Sequence, residues 1–300
     1  MERILFIINP IAGGGRAKNL QGPIEKIMED AGMEYEIVLT TKPKDAIDIT
    51  REKIKNGYKK IVAVGGDGTV NEVALGILEA GVGTLGIIPS GTGNDLARTL
   101  GIPFNLKEAI NVIIKGNIKQ IDVGTTNNNI FLNIGSVGFD AEVAKNTEVL
   151  KKRIRSGISY FLAIFVTLLK YKSIRAKLEI DKRIVDKDIL LIAVGNGRYY
   201  GGGLKILPTA IPDDGYLHVC LVNKISKLKL LVLFPSILIG KHIIFKKYVE
   251  ILKAKEVKII VENPTYLNVD GEIITIEKET SFGLYNKTLA IFTGSSLENI

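Results

Sequence analysis

Ile61-Val62-Ala63-Val64-Gly65-Gly66-Asp67-Gly68-Thr69 is the stretch on which the reading of this chain turns. Four apolar residues make a short buried strand, and the glycines turn the chain straight into a helix. In that helix Val70, Val73, Ala74, Ile77 and Leu78 recur at i, i+3, i+4, i+7 and i+8, the period of one buried face. The pattern then repeats: Leu85-Gly86-Ile87-Ile88 runs into Pro89-Ser90-Gly91-Thr92-Gly93-Asn94-Asp95. Glycines lack a Cβ, so backbone N–H groups can approach an anion closely, and a helix N-terminus adds a favourable dipole. Two such turns, each carrying an aspartate, point to a site for a polyphosphate with Mg²⁺.

Commoner phosphate signatures are excluded residue by residue. No Gly-x-x-x-x-Gly-Lys-Ser/Thr string occurs. The dinucleotide fingerprint fails at Gly91-Thr92-Gly93-Asn94-Asp95-Leu96, where Leu96 stands in place of the third glycine. The His-Arg-Asp and Asp-Phe-Gly elements of protein kinases are missing.

Working outward, residues 1–116 alternate strand and helix. Strand patterns fall at 3–9, 35–40, 60–64 and 84–88, and helical patterns at 17–31, 45–56, 70–80, 95–100 and 106–115. Repeated βα units predict an α/β N-terminal domain with a mostly parallel sheet and helices on both faces. Ligands of such sheets bind beyond the carboxyl ends of the strands, where both glycine-rich turns and the loop 9–18 sit. From about residue 122 the pattern changes. Short strand-like runs at 130–134, 176–180, 188–194, 216–222, 256–261, 265–269 and 273–277 lack interleaved helices, which predicts a C-terminal antiparallel β-sandwich. The expected domains are 1–124 and 125–286. Two helical stretches interrupt the second, 151–171 and 226–241. The first is basic at its start and apolar in its middle, and reads either as a membrane-resting face or as a helix packed on the β domain; the second is equally ambiguous.

Composition narrows the class. Of 300 residues 46% are hydrophobic and 24% charged, as in folded soluble proteins. The single cysteine, Cys220, lies in an apolar run and reads as a buried thiol in a reducing compartment. Two histidines, His218 and His242, are too few for a His-based metal site or a Ser-His-Asp triad. Residues 4–8 form too short an apolar run for a secretory signal core. Apolar residues 156–169 fall short of a span, and 228–245 is broken by Pro235 and Lys241-His242. The net charge of +8 favours an anionic partner, such as a lipid leaflet or polyphosphate. A nucleic-acid binder is disfavoured because the aromatics sit in apolar runs with no basic stacking platform.

With these motifs in view, the chain resembles the diacylglycerol-kinase catalytic family, and most closely its bacterial soluble lipid kinases. Gly65-Gly66-Asp67-Gly68-Thr69-Val70-Asn71-Glu72 and Gly91-Thr92-Gly93-Asn94-Asp95-Leu96-Ala97-Arg98 are the specific part of the likeness. Asn9-Pro10-Ile11-Ala12-Gly13-Gly14-Gly15 is similar to the family's first motif. Gly195-Asn196-Gly197, Gly201-Gly202-Gly203, Pro212-Asp213-Asp214-Gly215 and Asp270-Gly271-Glu272 follow in family order. The resemblance implies a cytoplasmic, peripherally membrane-associated kinase that moves the γ-phosphoryl group of ATP to a lipid alcohol with Mg²⁺. It also implies that the segment 287–300 returns to the first domain, and it brings the family's homodimer.

The resemblance carries residue roles with it. Asp67 would organise Mg²⁺. Backbone groups of Gly65, Gly66, Gly68, Gly91 and Gly93, with Asn9, Thr69, Thr92, Asn94 and Asp95, would hold ATP, and Arg16 and Arg98 would meet its phosphates, with Lys18 a weaker candidate. Asp270 would be the general base, Glu272 its assistant, and Asp213 and Asp214 a structural Mg²⁺ site. The residues alone leave these last two motifs open. Asp-Gly between alternating apolar residues is also ordinary hairpin chemistry, and Asp-Asp-Gly is ordinary turn chemistry. An NAD kinase shares Gly-Gly-Asp-Gly after a strand but lacks the Gly-Thr-Gly-Asn-Asp segment. A regulator that has lost catalysis is argued against by the retained Asp67, Asp95, Asp270 and Glu272.

Overall fold

The computed structural model of the chain describes residues 3–127, 129–151, 167, 171 and 173–294. The chain divides into two compact units, Met1–Asp122 with Asn286–Ile300, and Val123–Tyr285.

The first unit is built on a six-stranded sheet. Its strands are β1 (Ile4–Ile8), β2 (Tyr35–Leu39), β3 (Lys60–Gly65), β4 (Thr84–Pro89), β5 (Ile118–Ile121) and, from the end of the chain, β17 (Leu289–Phe292). They lie in the order β2-β1-β3-β4-β17-β5, parallel except for β5. Every residue of β1 is buried, as expected of a strand covered on both faces. The helix Asp67–Ala80 buries the stripe Val70, Val73, Ala74, Ile77 and Leu78 and stops at Gly81, whose φ of 75° suits glycine. Strand pairing sets Ile8 against Val64 and Gly65 against Pro89. The ends of β1, β3 and β4 therefore finish together, and the loops that follow them meet.

Among the described residues the second unit carries eleven strands in one antiparallel system. They are β6 (Gly124–Thr126), β7 (Asn129–Phe131), β8 (Ile134–Gly138), β9 (Ile174–Ile180), β10 (Arg183–Gly195), β11 (Leu217–Asn223), β12 (Val249–Ala254), β13 (Val257–Val261), β14 (Thr265–Val269), β15 (Glu272–Ile276) and β16 (Glu279–Leu284). The order is β15-β14-β8-β10-β9-β13-β16-β6-β7, with β11 joining β10 to β12. The long strand β10 pairs with β9 through its first half and with β8 and β11 through its second, with a register shift between Ile189 and Leu191. One core gathers Phe131, Leu178, Ile192, Leu221, Ile259 and Phe282, and a second gathers Phe139, Leu190, Leu204, Ile206 and Leu230.

The strand expectations need correction, since β6, β12 and β16 fall outside the expected runs altogether. The run 130–134 is two strands, broken at Leu132-Asn133. The cause is distant in sequence: the N–H groups of Leu132, Asn133 and Ile134 turn to the carboxylate of Asp270. β5, whose Ile-Lys-Gln-Ile sequence carries little signal, is an edge strand that the alternation did not announce. Of the stretch 151–171, all but 151, 167 and 171 lies outside the described residues.

Candidate active site

The three loops at the ends of β1, β3 and β4 form one cluster. Asn9 donates its backbone N–H to Val64 O (3.0 Å) and its side-chain Nδ2 to Thr69 Oγ1 (3.1 Å). Ser90 and Gly91 N–H both reach Gly65 O, at 2.9 and 3.2 Å. The two glycine-rich turns touch: a Cβ on Gly91 would collide with the Cα of Gly66. Gly13, at φ 61°, leaves equally little room, and a Cβ there would strike Ser90 O. Arg16 donates Nε to Gly13 O (2.9 Å) and lies 3.5 Å from Gly91 O, so its guanidinium edges the second turn.

Asp67 ties the cluster together. Its Oδ2 accepts the N–H of Asn94 (2.7 Å), and its Oδ1 accepts those of Asp95 (2.9 Å) and Leu96 (3.4 Å). A carboxylate at the start of one helix thus satisfies the first N–H groups of the next, Asp95–Thr99. Asn94 makes this fit by adopting a left-handed φ of 54° and closing its turn with two bonds to Gly91. Its side chain therefore shapes the turn. Thr69 is buried, Thr92 exposed, and Gly68 exposed at the first turn of its helix. Arg98 is placed differently: its guanidinium stacks on Phe104, 4.7 Å from the ring centroid.

Whether Mg²⁺ fits here can be tested on Gly93. A Cβ added to it would lie 2.7 Å from Asp67 Oδ2 and 3.3 Å from Asp95 Oδ2. Two carboxylates, the second buried, thus converge on a space that only glycine leaves open. Oxygen donors of this kind, few in number and beside phosphate-binding backbone, suit Mg²⁺.

In the second unit Asp270 sits at a hairpin turn with φ 47°, followed by Gly271 at φ 98°. Two successive positive φ values are the signature of a tight two-residue hairpin. Its Oδ1 accepts from Ile134 N (2.8 Å) and Asn133 N (3.2 Å), and its Oδ2 from Leu132 N (2.8 Å) and Asn133 N (3.3 Å). Its own N–H donates to Ile134 O at 3.1 Å. Asn133, which sequence reasoning passed over as part of a strand, is the hub of this cluster. Its O accepts the N–H groups of Asn196 and Gly197, and its side-chain amide donates to Tyr199 O. The Asn-Gly and Asp-Gly motifs of the second unit therefore meet through it, while Glu272 is exposed on the Asp270 hairpin.

Asp213 and Asp214 lie at the turn before β11. The Asp214 carboxylate is occupied by Lys253 Nζ (2.7 Å), His218 Nε2 (3.1 Å) and the N–H of Tyr216 (3.1 Å), and Asp213 is exposed. Burial holds the His218 imidazole below its ordinary pKa despite the pull of Asp214. Among the described residues no group of three or more His, Cys, Asp or Glu side chains could hold a metal.

The second unit also holds an open-mouthed apolar cavity. Phe139, Tyr200, Leu204, Leu230, Phe234 and Ile237 line it, with Asp140 and His242 as its polar members. Burial pushes the Asp140 carboxyl up to about 6, outweighing Ser136 and the amides of Asp140 and Ala141. His242 is held low by burial, although its Nε2 donates to Ile206 O at 3.0 Å. The neighbouring Cys220 thiol is fully buried and pushed far up.

With this geometry established, comparison with known proteins identifies the class. Residues 3–126 match the family model "Diacylglycerol kinase catalytic domain", and residues 133–281 match "YegS C-terminal NAD kinase beta sandwich-like domain". A curated diacylglycerol kinase of Staphylococcus saprophyticus is 32% identical over 272 residues, covering 90% of this chain and 89% of that protein. The chain belongs to the diacylglycerol kinase family. It is an enzyme of the lipid kinase class, with the α/β and antiparallel β architecture expected from its sequence. A crystal structure of a diacylglycerol kinase from Bacillus anthracis superposes with a TM-score of 0.73 at 25% identity, over 99% of this chain and 98% of that one. An NAD kinase from Archaeoglobus fulgidus, solved with ATP, shares the fold alone, with a TM-score of 0.53 at 14% identity over 99% of this chain and 95% of that one. Among the described residues no helix is long and apolar enough to cross a membrane.

Proposed function

We propose that this enzyme transfers the γ-phosphoryl group of ATP to the hydroxyl of diacylglycerol or a related lipid alcohol at a membrane surface. One observation carries the reading: two glycine-rich turns in contact, with Asp67 and Asp95 converging beside Gly93. Backbone of Gly65, Gly66, Gly68, Gly91 and Gly93 holds the ATP phosphates at the helix start Asp67–Ala80. Asn9 fixes Thr69, and Arg16 supplies a cation at the rim. Asp67 and Asp95 would hold Mg²⁺, which when bound neutralises charge on the transferring phosphate. Phosphoryl transfer asks the protein chiefly for such positioning.

The apolar cavity of the second unit suits the acyl chains of the acceptor, since binding sites for such ligands are concave and largely apolar. Asp270 is the proton acceptor for the attacking hydroxyl, with Glu272 beside it on the hairpin. Its three N–H partners make it a tightly held carboxylate, so the role draws on an oxygen already engaged.

The test is a single assay of purified protein with Mg²⁺ and γ-labelled ATP, offered a panel of lipid alcohols beside NAD. Label in a lipid alcohol is the expected result. Label in NAD alone would replace this reading with an NAD kinase.

A further inference from the structure

The connection between β11 and β12 is far longer than the pairing of those strands requires. Val222 and Val249 are paired neighbours, and Asn223 N–H donates to Tyr248 O at 2.8 Å, so residues 224–248 leave and return at the same point. A hairpin needs two to five residues there, and longer excursions in compact domains tend to serve function. This one contains the helices Lys227–Leu233 and Pro235–Leu238 and the short turn Lys241–Ile244.

The excursion is apolar on both faces. Leu230, Phe234, Ile237 and Phe245 point inward and line the cavity. Leu228, Val232, Ile239 and Ile244 point outward and are 74%, 69%, 63% and 64% exposed. A helix covering a soluble core shows water a polar face, so an exposed apolar face of this kind needs a cover. Charge chooses that cover. Residues 224–248 hold six lysines, at 224, 227, 229, 241, 246 and 247, and no Asp or Glu. A second copy of the chain docking by two-fold symmetry would set this lysine cluster against itself. An anionic bilayer accepts both the lysines and the apolar side chains, as interfacial amphipathic segments do.

We infer that residues 224–248 are the surface by which the enzyme docks on an anionic lipid bilayer, with Leu228, Leu231, Val232, Ile239 and Ile244 entering the leaflet. The inference rests on the lipid-kinase reading for its purpose and adds where the membrane is met. The wall of the cavity and the membrane contact are then two faces of one segment. An acceptor lipid can pass from the leaflet into the cavity without its chains crossing water.

The experiment measures partition of the full chain onto vesicles of phosphatidylglycerol and phosphatidylcholine, with phosphatidylcholine alone as control. The variants are Leu228→Ser/Val232→Ser/Ile239→Ser, whose side chains lie outside the cavity, and Lys241→Gln/Lys246→Gln. Each variant is also assayed on vesicle-embedded diacylglycerol and on a short-chain diacylglycerol dissolved below its aggregation limit. The expected result is a loss of vesicle partition of at least tenfold for the triple variant, and of about fivefold per neutralised lysine on anionic vesicles. Activity on embedded substrate falls with partition, and activity on dissolved substrate stays at the parent level. Unchanged partition of the triple variant overturns the inference. So does equal loss on dissolved substrate with a parent-like melt, or a parent dimer that dissociates on substitution while vesicle binding persists. A parent that binds vesicles through this surface yet phosphorylates no lipid leaves the docking inference standing and removes the kinase reading instead.

Discussion

The two units each use one aspartate in nearly the same way, and the small difference between them divides their chemistry. Asp67 accepts the N–H groups of residues 94–96, and Asp270 those of residues 132–134. Both carboxylates staple a neighbouring segment of chain through three consecutive amides. Asp67 does so with a second carboxylate, Asp95, facing the same glycine-walled space. Asp270 does so at the tip of a hairpin, with each oxygen accepting two N–H groups and a peptide hub, Asn133, beneath it. The first arrangement is the one to which the proposed Mg²⁺ is assigned. The second leaves a carboxylate whose first duty is to hold a turn.

Breaking the staple in the first unit should have the largest effect. Asp67→Asn is expected to lower turnover by about 10²–10³-fold, as loss of one electrostatic element of a transferase site does. Initial rates across a Mg²⁺ titration would check it. A variant with parent-like rates and the parent's Mg²⁺ dependence would break the comparison on this side.

A third carboxylate sharpens the point, because burial outweighs the amides beside it. Asp140 is buried with its carboxyl pushed up to about 6, against an ordinary 3.8. An unfolded chain releases this proton near the ordinary value, whereas the folded chain keeps it to about 6. The stability conferred by the neutral acid is therefore full below the ordinary value and lost as pH rises through about 6. Asparagine is neutral throughout, so Asp140→Asn should gain on the parent by about 3 kcal/mol between pH 4 and pH 7.5 in chemical unfolding. A difference between the two proteins that stays flat with pH would contradict this.

Asp270→Asn separates holding a turn from taking a proton. It turns an amide N–H toward backbone donors, and should cost about 1–3 kcal/mol of unfolding free energy together with activity. Full stability with collapsed turnover would mean that Asp270 is a base before it is a staple. The smallest effect is expected at the Asp213-Asp214 turn. Asp214→Asn weakens the contacts of Asp214 with Lys253, buried His218 and the Tyr216 N–H, and should cost about 1 kcal/mol. Mg²⁺ should shift the melting temperature of parent and variant alike; a shift present only in the parent would restore a metal to Asp213 and Asp214.

Much of the first unit was legible because its signals are local. The 3.6-residue stripe from Val70 to Leu78 and the apolar strands ending in glycine specify βα units without reference to anything distant. The convergence of Asn9, Gly13, Asp67 and Gly91 follows once those strands are parallel and in register. The second unit was legible as β structure but not in its breaks. Residues 130–134 alternate like one strand, and only a carboxylate more than a hundred residues further along the chain interrupts them. Asn133 carries no local mark of its role. Arg98 occupies a motif position, yet a nearby ring, Phe104, draws its side chain into a stack. Asp213-Asp214-Gly215 reads as turn or metal site, and the pairing of Asp214 with Lys253, on β12, was not visible in the sequence.

The claim at the centre of this account is that ATP with Mg²⁺ occupies the glycine-walled space between Asp67 and Asp95. Gly93→Ala tests it most directly, because one methyl group would sit 2.7 Å from Asp67 Oδ2 and push aside the carboxylate that accepts Asn94 N–H. Titration calorimetry of ATP, with and without Mg²⁺, should show Mg²⁺-dependent binding by the parent and a loss of about tenfold or more in the variant at an unchanged fold. Parent-like Mg²⁺–ATP affinity in a folded Gly93→Ala protein would contradict the account.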